Sequence, residues 1–100
     1  MRIIAKRTVV VFGEKNPATR ASLAHWLSVT AAATWASTND VQASFSKAKV
    51  LNAERVRFEV AGGDFRLICA FDFTRSVAYV KFIGTHAEYD RIDALTVSQF

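Results

Sequence analysis

The stretch from Arg55 to Ile83 reads RVRFEVAGGDFRLICAFDFTRSVAYVKFI. Apolar and polar residues alternate along most of it, which is the period of β-strands that are buried on one face. Two turn signals divide it: Ala61–Asp64, where glycine supplies the positive φ of a tight turn, and Thr74–Arg75. The pattern therefore predicts an antiparallel meander of three strands, near Arg55–Val60, Phe65–Phe73 and Val77–Ile83.

Centring the hairpins on these turns assigns each strand residue to one face of the sheet. One face has no polar residue and is predicted to form the core under a layer of helices: Val56, Phe58, Val60, Phe65, Leu67, Cys69, Phe71, Ala78, Val80 and Phe82. The other, which we call the cationic face, carries Arg55, Arg57, Glu59, Arg66, Ile68, Ala70, Asp72, Tyr79, Lys81 and Ile83. In this register Glu59 lies opposite Arg66, and Ile68 lies between Arg57 and Lys81.

The residues before the meander predict mainly helices. Met1–Ile4 reads as a short strand, and the helical periods predict helices over Thr8–Lys15, from Ala18 to about Ala32, and over Asp40–Phe45 with Thr38 or Asn39 as N-cap. Trp26 and Trp35 are expected in the core, and His25 is expected to be exposed. After the meander, residues 94–100 show little pattern and are expected to form a loose tail or an added edge element.

Gly84–Asp90 (GTHAEYD) directly follows the last predicted strand and reads as a strand running into a helix. Thr85 and Glu88 have the spacing of a capping box, so the helix should begin at His86 with Tyr89 on the same side. Histidine exchanges protons near neutral pH, and free amides at a helix N-terminus favour anions. The stretch is therefore a candidate for handling a phosphate, although an ordinary capped surface helix has the same pattern.

Composition predicts a single domain over residues 1–100, since 51% of the residues are hydrophobic and 22% are charged. The net charge of +4 is compatible with an anionic partner. Cys69 is the only cysteine, which excludes an intramolecular disulfide and favours a cytoplasmic setting. No apolar run is long enough for a membrane helix. We predict no metal or cofactor, because His25 and His86 lie in different elements and Cys69 should be buried.

The cationic face suits RNA better than a small molecule. Its candidates for holding RNA are Arg55, Arg57, Tyr79 and Lys81, because cations neutralise phosphates and aromatic rings stack on exposed bases. An ordinary solvated surface would show the same charges.

RNA cleavage without a metal requires a base for the ribose 2′-hydroxyl, an acid for the leaving 5′-oxygen and cations for the charge on phosphorus. His86 is the first candidate for acid or base, and Arg66 for charge stabilisation. Tyr89 would need neighbouring cations, since a free phenol is a poor base at neutral pH. Pairing of Arg66 with Glu59 would also be compatible with a purely structural role.

Four segments resemble the HigB family of type II toxins, in the RelE superfamily: Arg2–Thr8 (RIIAKRT), Arg55–Phe58 (RVRF), Phe65–Leu67 (FRL) and above all Gly84–Asp93 (GTHAEYDRID). The resemblance runs nearly end to end in the same order. It implies a RelE-like α+β fold, with helices on one face of a small, mostly antiparallel sheet made of the N-terminal strand and the C-terminal three-strand meander.

The resemblance also implies a function. It is that of an endoribonuclease that cuts mRNA in the A site of the translating ribosome and is neutralised by a cognate helix-turn-helix antitoxin of the HigA type. By motif position, Arg66, His86 and Tyr89 are the catalytic candidates. The sequence departs from relatives at Ala61–Gly63, where the turn often carries a basic residue, and at Phe73, where a tyrosine is frequent. Two alternatives stay open: a non-catalytic RNA- or ribosome-binding translation inhibitor, and an inactive remnant that still pairs with an antitoxin.

Overall fold

The computed structural model, which describes residues 1–100, contains five strands and four α-helices. In chain order the elements are β1 (Arg2–Ile4), α1 (Lys6–Lys15), α2 (Arg20–Ala32), α3 (Thr38–Ser44), β2 (Lys49–Val50), β3 (Arg55–Val60), β4 (Phe65–Asp72), β5 (Val77–Thr85) and α4 (His86–Tyr89). A 3-10 turn over Pro17–Thr19 precedes α2, as expected from a proline that starts a helix. α3 begins earlier than predicted, after Ser37 as N-cap, and no side chain caps it.

The strands form one mixed sheet in the order β1-β5-β4-β3-β2. β1 is parallel to β5, and all the other neighbouring pairs are antiparallel. The predicted α+β fold is therefore confirmed, with the N-terminal strand completing a three-strand meander. The two-residue strand β2 was not predicted, because two residues are too few to show a period.

Helices α1, α2 and α3 cover the apolar face of the sheet. Their buried residues join the sheet side chains in one core cluster, in which Trp26 and Trp35 are 2% and 8% exposed. The rings pack edge to face, with Trp26 and Phe58 centroids 5.6 Å apart and Trp35 and Phe71 centroids 5.7 Å apart. Cys69 lies in the same cluster, and its burial raises the pKa of the thiol well above the ordinary value. No helix is both long enough and apolar enough to cross a lipid bilayer.

A β-bulge interrupts the pairing of β4 with β5. The register is as predicted up to the pair Cys69 and Val80, but Ile68 then pairs with Phe82, so that Lys81 is the extra residue of β5. Ile68 therefore lies between Arg57 and Phe82, and the prediction that it lies beside Lys81 was wrong.

The bulge exchanges the faces of two large apolar residues. Ile83, expected on the cationic face, belongs to the main core and is 3% exposed. Phe82, expected in the core, pairs with Ile68 on the cationic face, and its ring centroid lies 6.2 Å from that of Tyr89. Both assignments were wrong because strict alternation fails at an inserted residue.

Residues 93–100 pack across the cationic face, and we call them the crossing segment. One end is held by the guanidinium of Arg55, whose Nη1 donates to the carbonyls of Ala94 at 3.1 Å and Val97 at 2.8 Å. The other end is held by Gln99 on β5, where its backbone N–H donates to the Lys81 carbonyl at 2.8 Å. The expectation of a loose tail was wrong, because side-chain and backbone groups of the sheet bind the segment. The alternative, an added edge element, holds only for Gln99, which bonds the edge of β5 without forming a strand.

Gly84 leaves room for the ring of Phe82. A Cβ at this position would lie 2.9 Å from Phe82 Cζ and 3.1 Å from Glu88 Oε1. Because Phe82 is only 3% exposed, its ring has little space to retreat. We predict that Gly84→Ala lowers the free energy of unfolding by about 1–3 kcal/mol, the usual cost of overpacking, as measured by urea denaturation.

Gly13 provides the matched control for this substitution. A Cβ there would make only ordinary contacts, 3.6 Å from Leu23 Cδ1 and 3.8 Å from Arg20 Cα. Gly13→Ala should raise the free energy of unfolding by about 0.5–1 kcal/mol, because alanine favours the helix. Equal effects of the two substitutions would show that the close approach at Gly84 does not matter.

Candidate functional site

Two arginines share one carboxylate at the β3–β4 end of the cationic face. The predicted cross-strand pair of Glu59 with Arg66 is present, and Glu59 Oε2 lies 3.9 Å from Arg66 Nη1 and 3.6 Å from Arg57 Nη2. The arginine side chains are only 12% and 15% exposed, and the Nε atom of each has no hydrogen-bond partner. Buried donors without an acceptor are uncommon and costly, so the two guanidinium groups are incompletely satisfied by Glu59 alone.

Tyr89 stacks beside this pair. Its ring centroid lies 5.9 Å from Arg66 Cζ, within the range of a cation–π contact, and its other neighbour is the ring of Phe82. Arg66 pairs with Gly84 across the β4–β5 ladder, so no side chain of β5 lies opposite it. The turn from β5 into α4 thereby places a phenol against a largely buried guanidinium.

His86 begins α4 at the outer rim of the same cluster. Its backbone N–H donates to the carbonyl of Asp64 at 2.9 Å, which fixes the start of the helix against the β3–β4 hairpin. Its side chain is 53% exposed, with Nε2 3.5 Å from Asp90 Oδ1. The imidazole is thus accessible to a ligand and lies beside a carboxylate.

α4 is a single turn, and this changes the expected role of its N-terminus. The capping box is present as predicted, with the Thr85 hydroxyl accepting from the Glu88 N–H at 3.1 Å and Glu88 Oε1 accepting from the Thr85 N–H at 2.8 Å. The helix covers only His86–Tyr89, which is too short for a substantial helix dipole. The predicted attraction of anions by the helix N-terminus therefore has no support, and charge at this site comes from side chains.

The capping box should be visible in the titration of Glu88. The pKa of this carboxyl lies below its ordinary value of 4.5, first because the Thr85 backbone N–H donates to it and second because of the Thr85 side chain. Because the pKa of Glu88 is lower in the folded chain than in the unfolded chain, the capping bonds contribute their full stability above the unfolded-state pKa. This contribution is lost as the pH falls through the folded-state pKa. We predict that Thr85→Val raises the Glu88 pKa measured by NMR titration. A wild-type Glu88 that titrates at or above 4.5 would contradict the capping geometry.

Tyr79 and Lys81 form a second, separate group on the cationic face. Lys81 Nζ lies 5.6 Å from the Tyr79 ring centroid, and Tyr79 is 37% exposed. The crossing segment is anchored next to this group, at Arg55 on β3 and at the backbone carbonyl of Lys81 on β5. The predicted RNA-binding residues therefore do not form one continuous floor, and the guanidinium of Arg55 already binds two backbone carbonyls.

Two residues at the site were missed by the sequence reasoning. Phe82 supports Tyr89, and Gln99 binds the bulge, its Oε1 accepting from the Ile83 N–H at 3.0 Å. The adjacent pair Phe82–Ile83 was the available signal, because two large apolar neighbours break strict alternation, as they would at a bulge. Nothing in the pattern of residues 94–100 pointed to Gln99.

No group of three or more His, Cys, Asp or Glu side chains is arranged to hold a metal ion.

Comparison with known proteins gives the class of the chain. Residues 19–92 match the family model HigB_toxin, described as the RelE-like toxic component of a toxin-antitoxin system. The matched span includes both arginines of the cluster, Tyr89 and His86, and stops before Gln99. No curated protein matches the chain. Because the match covers more than half of the residues, the chain belongs to the HigB family of RelE-like toxins, the toxic components of toxin-antitoxin systems.

Proposed function

We propose that this toxin is an endoribonuclease that cuts mRNA in the ribosomal A site and so stops translation. The observation that carries the proposal is the cluster in which Arg66, largely buried and only partly neutralised by Glu59, stacks against Tyr89 one helical turn from His86. A cation, a phenol and an imidazole at one rim are the groups that metal-independent RNA cleavage uses.

The reaction would begin with attack of the ribose 2′-oxygen on the adjacent phosphorus. A base removes the 2′ proton, the bond from phosphorus to the 5′-oxygen breaks, and an acid gives that oxygen a proton. His86 is accessible enough for either proton transfer, and Tyr89 is the other candidate. Arg66, assisted by Arg57, would stabilise the charge that builds on the phosphoryl oxygens, where a planar guanidinium can bind two of them at once.

RNA binding would extend beyond the reacting phosphate to Tyr79 and Lys81. A base stacked on the exposed Tyr79 ring and a phosphate at Lys81 would hold the strand on the far side of the crossing segment. We do not assign RNA binding to Arg55, because its donors hold the crossing segment. The cellular setting we propose is the cytoplasm, with a helix-turn-helix antitoxin of the HigA type as the neutralising partner.

One observation favours the non-catalytic alternative. Glu59 lies within salt-bridge distance of both arginines, and such a triad can be purely structural. In that case the chain would inhibit translation by occupying the ribosome or its RNA, and the cluster would only stabilise the hairpin.

Mapping mRNA ends during translation separates the two functions. The toxin is added to a translating extract and to the same extract with initiation blocked, and the 5′ ends of one reporter mRNA are sequenced. We expect new ends inside the coding region only where ribosomes translate. Intact mRNA under full inhibition of translation would remove the nuclease function and leave occupancy.

Two variants sharpen the comparison. His86→Ala and Tyr89→Phe should abolish or strongly reduce the new ends while the protein still cosediments with ribosomes. A non-catalytic inhibitor would keep its full inhibition of translation with both variants.

A further inference from the structure

We propose that Gln99 is a positioning residue for this RNA site, which it orders through the β-bulge of β5. The effect of Gln99 on RNA cleavage rests on the proposed function. Its effect on the order of the site does not. Gln99 makes no hydrogen bond to the Arg66 cluster; its hydrogen bonds are with the backbone of β5.

Gln99 satisfies two backbone groups at the bulge. Strand β1 pairs with β5 only as far as Tyr79, so the next backbone groups on this edge of β5 have no strand partner, and here the Lys81 carbonyl accepts from the Gln99 N–H at 2.8 Å. The Ile83 N–H donates to Gln99 Oε1 at 3.0 Å. One residue therefore holds β5 on both sides of Phe82, next to the inserted Lys81, through its backbone and its side chain.

The bulge determines which way Phe82 points. With Lys81 inserted, Phe82 pairs with Ile68 and packs on the cationic face against Tyr89, while Ile83 enters the core. A flat register would return Phe82 to the core face and remove the ring that supports Tyr89. The position of Tyr89 over Arg66 thus depends on a bulge that Gln99 stabilises.

Arg55 brings Gln99 to this position. Its guanidinium holds the carbonyls of Ala94 and Val97 beside β3. The next residues of the crossing segment then reach β5, where Gln99 is bound. Ile68 and Phe82 lie between the two anchors and are 0% and 3% exposed, although the three long helices pack on the other face. The segment is therefore packed on an apolar base and is held at both ends.

Gln99→Met tests the inference, because methionine keeps the length of the side chain and removes the acceptor for the Ile83 N–H. We expect faster hydrogen exchange of the Ile83 amide, shifted NMR signals of the Tyr89 ring, and a kcat on programmed ribosomes lowered by about tenfold to a hundredfold. Gln99→Glu restores the acceptor and should return the Ile83 exchange and most of kcat. Ser98→Ala is the matched control, since its hydroxyl bonds only the Phe100 carbonyl, and should change neither.

The outcomes distinguish this inference from the proposed function. If the wild type does not cleave RNA, the proposed function fails, while the Ile83 and Tyr89 signals still decide whether Gln99 orders the site. If Gln99→Met leaves those signals unchanged, or leaves kcat unchanged in an active protein, Gln99 is not a positioning residue. A loss of kcat in Gln99→Met that Gln99→Glu does not restore would also overturn the inference.

Discussion

Replacing Arg66 with glutamine is expected to lower the rate of RNA cleavage on programmed ribosomes by roughly 100- to 1,000-fold, the usual effect of removing one charge-stabilising group from a transition state. The effect should fall mainly on kcat, because Arg57 and Lys81 remain to bind the ground-state phosphates. Arg66→Lys should recover only part of the rate, since an ammonium keeps the charge but loses the planar fork and its stacking on Tyr89.

The fold should tolerate this change. Glu59 keeps Arg57 as a partner at 3.6 Å, so no carboxylate is left alone in the partly buried cluster. Arg75→Gln is the matched control, because Arg75 lies in the β4–β5 turn with a side chain that is 79% exposed. Its cleavage rate should equal that of the wild type. An Arg66→Gln protein that is folded and cleaves at the wild-type rate would show that Arg66 is only structural.

Replacing His86 with alanine is expected to lower cleavage by roughly 100- to 10,000-fold, the range for loss of a general acid or base. The imidazole is half exposed and makes its single polar side-chain contact with Asp90, so its removal should leave the thermal unfolding midpoint nearly unchanged. The pH–rate profile should lose one limb, because one proton-transfer group is gone. The measurement is single-turnover cleavage across the pH range in which the wild type is active.

His25 supplies the control for this substitution. It is the other histidine of the chain, exposed on α2, and its ring contacts Phe45 on the helical side of the sheet. His25→Ala should therefore keep both the rate and the shape of the pH profile. The cleavage rate of Asp90→Asn should lie between those of His86→Ala and His25→Ala, since the substitution removes only the carboxylate beside His86. A His86→Ala protein with an unchanged profile would exclude the imidazole from proton transfer.

Most of the sheet could be predicted from the sequence, because each strand of the meander buries one face and alternates clearly. The Glu59–Arg66 pair, the burial of Cys69 and the capping box at Thr85 all followed from that register and from spacing. The prediction failed first at Lys81, where a single inserted residue reverses the faces of all later residues of β5.

The crossing segment could not be predicted because nothing regular holds it. Its contacts join a guanidinium to two carbonyls and one amide side chain to a bulge, and such long-range polar contacts leave no period in the sequence. The consequence for the site is substantial. The cationic face predicted as one open floor is divided into the Arg57–Arg66–Tyr89 cluster with His86 at its rim, and the Tyr79–Lys81 group beyond the segment.

The division also changes how RNA would reach the site. A strand bound to both groups must pass over or around residues 93–100, so the path between Tyr89 and Tyr79 is bent rather than straight. Single-stranded mRNA is flexible enough for such a path, whereas a regular duplex is not.

The chemical nature of the RNA ends tests the central proposal most directly. Short mRNA bound to purified ribosomes is incubated with the toxin, and the fragments are analysed by mass spectrometry. Attack by the 2′-hydroxyl predicts a 2′,3′-cyclic phosphate on the upstream fragment and a 5′-hydroxyl on the downstream fragment, with both products strongly reduced for Arg66→Gln and His86→Ala. Fragments with a 3′-hydroxyl and a 5′-phosphate, or uncut mRNA on ribosomes that the toxin has stalled, would contradict it.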